Sequence, residues 1–195
     1  MWPELIELRG QHACLEPLRA EHLAGLVDAV RDGELWKLWY TSVPAPEHMA
    51  AEIERRLGLQ ASGSMRAFTV FDGQGHIVGM TTYMNIDGAS QRLEIGSTWY
   101  ASGAQRSSLN TACKSMLLTQ AFERLDCIAV EFRTHRLNTQ SRRAIERLGA
   151  QLDGVLRCHS RAADGTLRDT AVYSITASEW PAVKSHLAWQ LAKPR

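Results

Sequence analysis

The sequence predicts a mixed α+β fold: a central, twisted, mostly antiparallel sheet of about six or seven strands, with helices on both faces. The first observation behind this prediction is a series of strand-like segments in the middle of the chain, two of which are joined by the Gly-rich turn 72–75. Such a turn is typical of an antiparallel hairpin, because glycine adopts positive φ angles without steric cost. The second observation is the alternation of strands and helices after residue 91, which predicts β-α-β crossovers that place helices against a sheet.

The elements of the first half are predicted from apolar periodicity. Residues that alternate between apolar and polar indicate strands, and apolar residues at every third or fourth position indicate helices. These patterns predict a strand at 13–18, helices at about 20–30 and 47–60, and strands at 66–71 and 76–83.

The second half is predicted in the same way, with residues typical of helix ends at several boundaries. The predicted elements are a strand at 91–100, a helix at 109–125, a strand at 127–132, a helix at 138–148, strands at 151–157 and 170–176, and a final helix from about 178. Gly149 suits a helix C-cap, Ser178 suits an N-cap, and Pro181 suits the first turn that follows it. No linker-like segment divides the chain, so we predict one domain over residues 1–195.

Composition and charge argue against several classes of protein. The chain has a net charge of +1 and no basic stripe, which disfavours a nucleic-acid-binding protein. No apolar run approaches the ~20 residues of a membrane span, and the first residues do not resemble a secretory signal. Four widely spaced cysteines and seven scattered histidines predict neither disulfides nor a metal site. We therefore expect a cytoplasmic protein that binds no nucleic acid, membrane or metal. A homodimer is compatible with the sequence.

The stretch 91–122 is the most informative part of the sequence. A strand runs through a turn of small and polar residues, 101–108, into a helix that begins at about Leu109. The first turn of a helix leaves backbone N–H groups without partners, and the helix dipole adds partial positive charge there. Arg106 adds a full charge. We expect the amides of residues 104–110 to bind a phosphate or pyrophosphate, as carried by nucleotides and coenzyme A.

Four segments, together with the element order, resemble the GCN5-related N-acetyltransferase (GNAT) superfamily, and within it the RimJ/RimL-like branch. They are the strand 93–100, the turn and helix start 105–114, the helix 138–150, and the late strand 169–174 with Trp180 after it. The resemblance covers about residues 15–180. It implies the GNAT fold and an acyltransferase that uses acetyl-CoA, that is, an N-acetyltransferase.

The resemblance also implies which residues bind the cofactor. The superfamily signature is a Gln or Arg, two variable residues, a Gly, one variable residue, and a Gly or Ala. Gln105 matches the first position, whereas Ser108 and Asn110 stand where the small residues are expected. Serine lacks the backbone freedom of glycine, but its hydroxyl can donate to a phosphate. The implied cofactor-binding residues are Trp99, Gln105, Arg106, Ser107, Ser108, Leu109, Asn110, Asn138 and Ser141.

Three residues are candidates for catalysis. Acetyl transfer requires that the amine lose a proton, that donors stabilise charge on the thioester oxygen, and that the leaving thiolate be protonated. Glu94, on the strand face opposite Leu93 and Ile95, is the candidate base, acting through water. The resemblance implies Ser141 as the acid, in place of the tyrosine that many relatives carry on this helix. Tyr173 is a candidate to face the acceptor.

Each of these assignments has a structural alternative. Glu94 could be an ordinary solvent-facing carboxylate of a strand. Asn138 and Ser141 are typical of the first turn of a helix, where Asn138 would be the N-cap. An aromatic residue in a strand, such as Tyr173, is commonly part of the core.

The aromatic residues Trp36, Trp39 and Tyr40 are candidates for acceptor binding, together with Glu94. They lie between the first two predicted helices, in the segment that shapes the acceptor pocket in RimJ/RimL-like relatives. An aromatic cluster would suit an apolar or cationic acceptor group. A core contact or a dimer contact is the alternative.

For the function, the resemblance implies direct acetyl transfer to a primary amine, in the first place the N-terminal α-amine of a protein or peptide. A small amine, an amino acid or an antibiotic is the alternative acceptor. A non-catalytic module that binds or senses acyl-CoA is the alternative of another class, because a glycine of the signature and the helix tyrosine are missing. A nucleotide-binding protein is a third alternative, although the chain has neither a P-loop ending nor an early G-x-G-x-x-G.

Overall fold

The computed structural model describes residues 2–162 and 164–193, and these contain eight β-strands and five α-helices. The strands are β1 Leu8–Arg9, β2 Ala13–Pro17, β3 Met65–Asp72, β4 Ile77–Asp87, β5 Arg92–Tyr100, β6 Ala129–His135, β7 Gln151–Arg161 and β8 Leu167–Thr176. The helices are α1 Leu23–Arg31, α2 Met49–Ala61, α3 Leu109–Glu123, α4 Thr139–Glu146 and α5 Trp180–Ala192. Each element predicted from the sequence has a counterpart. No helix in the described ranges is long and apolar enough to cross a membrane.

The strands form one sheet in the order β1-β2-β3-β4-β5-β6-β8-β7. All neighbours are antiparallel except β5 and β6, which are parallel. The prediction of a mixed, mostly antiparallel sheet is therefore confirmed, with eight strands instead of six or seven. The extra strand is β1, whose two residues are too few to show a periodic pattern.

Helices pack on both faces of the sheet, as predicted, and bury two apolar clusters. The larger cluster joins α3 and α5 to strand residues such as Leu93 and Val130. The smaller cluster joins α1 and α2 to residues such as Met80 and Trp99. Among the described residues, the smaller cluster includes none from β6, β7 or β8. The core beneath α1 and α2 is therefore confined to the part of the sheet built by the earlier strands.

The sheet opens between β5 and β6. The last residues that pair across these strands are Glu94 and Glu131, within the described part of the chain. β5 has a bulge just beyond that point, where Ser97 adopts a φ of 47°. A bulge bends a strand and increases its twist, so β5 turns away from its parallel neighbour. The resulting gap lies near the middle of the sheet.

Candidate active site

A cleft of about 1070 Å³ occupies the gap between β5 and β6. Its strand walls are residues 95–100 of β5 and 132–134 of β6. The turn before α3, the first turns of α3, and α4 contribute further lining, as do α2 and the loop before it. The strand, turn and helix start that the sequence indicated as an anion site therefore form part of one cavity.

Hydrogen bonds within the turn between β5 and α3 hold its shape. The Gln105 side chain donates to the Tyr100 carbonyl at 3.0 Å, and the Ser107 hydroxyl donates to the Ala104 carbonyl at 2.7 Å. Gln140 of α4 donates to the Gln105 side-chain oxygen at 3.3 Å. Gln105 thus links the turn both to the end of β5 and to the opposite helix.

The backbone amides of this turn fall into two groups. Those of Ala104 and Gln105 already donate to carbonyls inside the turn, and that of Leu109 donates to the Ser107 hydroxyl at 3.2 Å. Four other amides find no hydrogen-bond acceptor among the described residues: those of Ser107, Ser108, Asn110 and Thr111. Of the amides expected over 104–110 to bind an anion, those of Ala104, Gln105 and Leu109 are thus already engaged within the turn.

Most of the predicted cofactor-binding residues line this cleft: Trp99, Gln105, Arg106, Ser107, Asn110, Asn138 and Ser141. The Leu109 side chain instead packs in the larger core, and Ser108 occupies the N-cap position of α3. The Trp99 indole N–H is buried and has no hydrogen-bond partner among the described residues. Leu109 and Ser108 are thus the two predicted cofactor-binding residues that do not line the cleft.

Asn138 is the N-cap of α4. Its side-chain oxygen accepts a hydrogen bond from the backbone N–H of Ser141 at 3.0 Å. Both residues also line the cleft. The capping role expected as the alternative is thus present, and it leaves the Ser141 hydroxyl on the cleft wall.

Glu94 is buried, with 5% of its surface exposed, so it is not a solvent-facing strand carboxylate. Asn85, at the far end of the long strand β4, donates to it at 2.7 Å, and the Arg133 guanidinium lies 3.5 Å away. Burial raises the pKa of the Glu94 carboxyl above its usual range, while the Asn85 hydrogen bond and the Arg133 charge oppose part of that rise. The carboxylate is therefore a stronger base than a solvated glutamate.

Gly96 separates the Glu94 carboxylate from the cleft. Gly96 lines the cavity, whereas Glu94 does not. A Cβ atom at position 96 would lie 2.7 Å from Glu94 Oε1 and 2.8 Å from Met84 Sδ. The absence of a side chain at Gly96 thus leaves the carboxylate directly behind the cleft wall.

Tyr173 is not brought together with Glu94 and Ser141. It is completely buried in the larger core and does not line the cleft. Its hydroxyl donates to Glu146 at 2.7 Å and accepts from Arg142 at 2.7 Å. The expectation that Tyr173 faces the acceptor is corrected by this placement, because its phenol group ties β8 to α4.

The aromatic segment contributes one residue to the cleft, Tyr40. Trp36 is partly buried against the smaller core. Trp39 is 55% exposed and packs edge-on against Tyr40 and His135, with ring centroids 5.5 and 5.0 Å apart. The structure therefore does not assemble the three aromatic residues into one acceptor pocket.

Arg56 of α2 is a cleft residue that the sequence did not reveal. It is 3% exposed and donates to Glu52 at 2.6 Å, to the Thr82 hydroxyl at 2.7 Å and to the Ser97 carbonyl at 3.4 Å. The N–H of a trans peptide unit points away from its carbonyl. By holding the Ser97 carbonyl, Arg56 therefore also fixes the direction of the Thr98 N–H at the bulge.

Lys114 of α3 is a second such residue. It is buried on the cleft and donates to the hydroxyls of Thr98 at 2.7 Å and Thr81 at 3.1 Å. No carboxylate of the described residues lies within ion-pair distance of it. Burial lowers the pKa of Lys114 to about 8. The sequence signal was a lysine between the apolar residues Cys113 and Leu117.

The charge of the cleft wall is strongly one-sided. Eight of its described lining residues are cationic: Arg55, Arg56, Arg106, Lys114, Arg133, Arg143, Arg147 and Arg168. Glu52 is the single carboxylate in the same lining. Because the whole chain carries a net charge of only +1, the positive charge is concentrated where a ligand would bind. The cavity is therefore suited to a polyanion.

The chain is similar in sequence and fold to known acetyltransferases. The acetyltransferase (GNAT) domain family matches residues 12–151. A GCN5-related N-acetyltransferase from Brucella melitensis is 30% identical, with a TM-score of 0.85 over 96% of this chain and 86% of that chain. The Bacillus subtilis (strain 168) protein named "Putative ribosomal N-acetyltransferase YdaF" is 28% identical over 87% of this chain and 92% of its own length.

A further solved structure shows the same fold. Mycobacterium smegmatis RimJ, solved in complex with CoA-disulfide, is 23% identical, with a TM-score of 0.79 over 97% of this chain and 95% of that chain. The family match covers well over half of the sequence. The chain therefore belongs to the GNAT acetyltransferase family, and it is an N-acetyltransferase.

Proposed function

We propose that this N-acetyltransferase moves an acetyl group from acetyl-CoA directly to a primary amine, the N-terminal α-amine of a protein or peptide. The observation that carries the proposal is the cleft between β5 and β6, which joins the amides of the α3 turn to the Glu94 carboxylate behind Gly96. Acetyl-CoA, when bound, supplies an acetyl thioester and a thiol leaving group.

The donor groups of the cleft fit that cofactor. The amides of Ser107, Ser108, Asn110 and Thr111 would hold a phosphate, since they lack acceptors among the described residues and lie at a helix start. The cationic lining would neutralise the other phosphates. Asn138 and Ser141 would contact the pantetheine arm from the opposite wall.

Glu94 is proposed as the base. An ammonium has no lone pair, so the acceptor must lose a proton before it attacks. The raised pKa of Glu94 brings the carboxyl closer to neutral pH, and Arg133 favours its ionised form. Because Glu94 lies behind Gly96 and not on the cleft lining, we propose that it takes the proton through a water molecule.

Two other parts of the wall would assist the transfer. The bulge of β5, held by Arg56 through the Ser97 carbonyl, would present backbone N–H groups to the thioester oxygen as negative charge builds there. Ser141 is half-buried on the cleft wall, and its hydroxyl would donate a hydrogen bond to the departing sulfur. Tyr173 has no part in this scheme.

The relative YdaF is named a ribosomal N-acetyltransferase, and this supports a protein acceptor. The cationic lining argues in the same direction, because it repels polycationic acceptors such as aminoglycoside antibiotics. A small monoamine or an amino acid is the alternative acceptor that the test must include.

The test is a thiol-release assay with acetyl-CoA against peptides and small amines. Glu94→Gln and Ser141→Ala should retain cofactor binding by calorimetry and lose turnover, by about 10²-fold or more for the base. Glu54→Gln, an exposed carboxylate of α2 outside the cleft, is the matched control and should behave as the wild type. Cofactor binding without turnover of any amine would instead favour a sensing module, and unchanged rates in both variants would remove the assigned roles.

A further inference from the structure

Four arginines of the cleft lining come from α2, β6 and β8, and one of them differs from the other three. Arg55 and Arg56 both pair with Glu52, at 2.7 and 2.6 Å. Arg133 pairs with Glu131 at 2.8 Å and approaches Glu94. Arg168, at the start of β8, is the fourth.

Arg168 has no carboxylate within ion-pair distance among the described residues. Its Nε donates a hydrogen bond to the Thr170 hydroxyl at 3.4 Å. The side chain is half-buried on the cleft wall, and burial lowers the pKa of its guanidinium. A partly desolvated cation with no carboxylate in direct contact is costly unless a ligand supplies the charge.

The Arg168 charge acts on the same place as the proposed base. It helps to oppose the effect of burial on the pKa of Glu94, as Arg133 does, and the Glu94 charge in turn acts on Arg168. Gly96, which lies against the Glu94 carboxylate, and Arg168 line the same cleft, so an amine bound beside Glu94 would share that cleft with Arg168. A positive neighbour also favours the neutral, nucleophilic form of that amine.

We infer that the acceptor carries a carboxylate close to its reactive amine, and that Arg168 selects it by forming an ion pair with that carboxylate. This inference rests on the proposed function and names its substrate class. Two sources share the chemistry: a peptide with an acidic residue next to its N-terminus, and a free amino acid with its own α-carboxylate.

The experiment compares acceptors that differ by one charge. Peptides that begin Ser-Asp and Ser-Asn, otherwise identical, form one arm, and a free amino acid and its amide form the other. We expect kcat/KM for the carboxylate member of at least one pair to be higher by about tenfold, as for a charge-assisted hydrogen bond at a partly buried site. The arm that shows the preference identifies the source.

Variants of Arg168 decide whether this residue is responsible. Arg168→Gln should equalise the rates of the two members of a pair, whatever its effect on the rate they share, and Arg168→Glu should favour a Ser-Lys peptide over Ser-Asp. Arg161→Gln, an exposed arginine of the same β7–β8 hairpin outside the cleft, should keep the preference. Equal rates for both members of both pairs in the wild type, or a preference that survives in Arg168→Gln, would overturn the inference.

The outcome is distinguishable from failure of the proposed function. If no amine is acetylated, the proposed function fails, and calorimetric binding of the Ser-Asp and Ser-Asn peptides still tests the selectivity. If Arg168→Gln does not fold, Arg168→Lys should retain the preference in part, and the wild-type comparison of paired acceptors remains decisive.

Discussion

Lys114 provides a prediction whose size follows from the structure. Its ammonium group is buried with two threonine hydroxyls as its hydrogen-bond acceptors and no carboxylate of the described residues as a counterion. Replacement by methionine, which has a similar length, removes the buried charge. The two hydroxyls, those of Thr81 and Thr98, keep their mutual hydrogen bond at 2.8 Å. We therefore expect Lys114→Met to stabilise the fold near neutral pH.

The magnitude comes from the pKa of Lys114, which burial lowers from 10.5 to about 8. Below the lower value both the folded and the unfolded chain hold the proton, so the full cost of burying the charge, about 3 kcal/mol, opposes folding. Between the two values the unfolded chain binds more protons, so the free energy of unfolding rises with pH. Lys114→Met should therefore be more stable than the wild type by about 2–3 kcal/mol at pH 7, and the difference should shrink as the pH approaches 10.5.

The assay is urea unfolding followed by tryptophan fluorescence at several pH values. Burial raises the pKa of Cys113 and Cys127 to about 12. In alkali the unfolded chain therefore loses these protons first, which lowers the free energy of unfolding of both proteins. The difference between variant and wild type isolates Lys114. Lys184→Met, which removes an exposed lysine of α5, is the control and should change stability little. A Lys114→Met protein less stable than the wild type at pH 7, or a stability difference that does not depend on pH, would show that the buried charge of Lys114 does not oppose folding.

Three further predictions concern the walls of the cleft. Gly96→Ala places a methyl group against the Glu94 carboxylate, so steady-state kinetics should show a fall in kcat, while an unchanged kcat would contradict the placement. Arg56→Met leaves the Ser97 carbonyl without its buried donor and should lower the free energy of unfolding by about 3–5 kcal/mol, measured in urea; a loss under about 1 kcal/mol would count against a buried clamp. Asn138→Ala removes the N-cap of α4 and should lower the free energy of unfolding by about 1 kcal/mol. Asn138→Asp keeps a side-chain oxygen for the cap and should retain most of that stability.

The local features of this site were readable from the sequence. The turn before α3 depends on a strand end, small polar residues and a helix start within about 20 residues, and each has its own signal. The N-cap Asn138 and the position of Ser141 three residues later also belong to one short segment. Such features can be predicted from the sequence because local backbone geometry, and not packing against distant residues, determines them.

The residues that the sequence did not reveal are positioned by long-range packing. Arg56 reaches the bulge of β5 from α2, 41 residues earlier in the chain. Arg168 joins the cleft only because β8 lies beside β6 in the sheet. Tyr173 and Trp39 were predicted to face the acceptor but do not line the cleft. The sequence does not indicate which face of its element an aromatic residue will occupy. Strand β1 was not predicted, because a strand of two residues is too short to show a periodic pattern.

The most direct test of the account is an amide-resolved NMR titration of the protein with coenzyme A. We expect the N–H signals of Ser107, Ser108, Asn110 and Thr111 to shift together and to saturate with the same affinity, because we propose that these four amides bind the phosphate oxygens. Signals of Ala104 and Gln105, whose N–H groups already donate to carbonyls, should shift less. Binding that leaves the signals of these four amides unchanged, or no binding at all, would contradict a phosphate site at this turn.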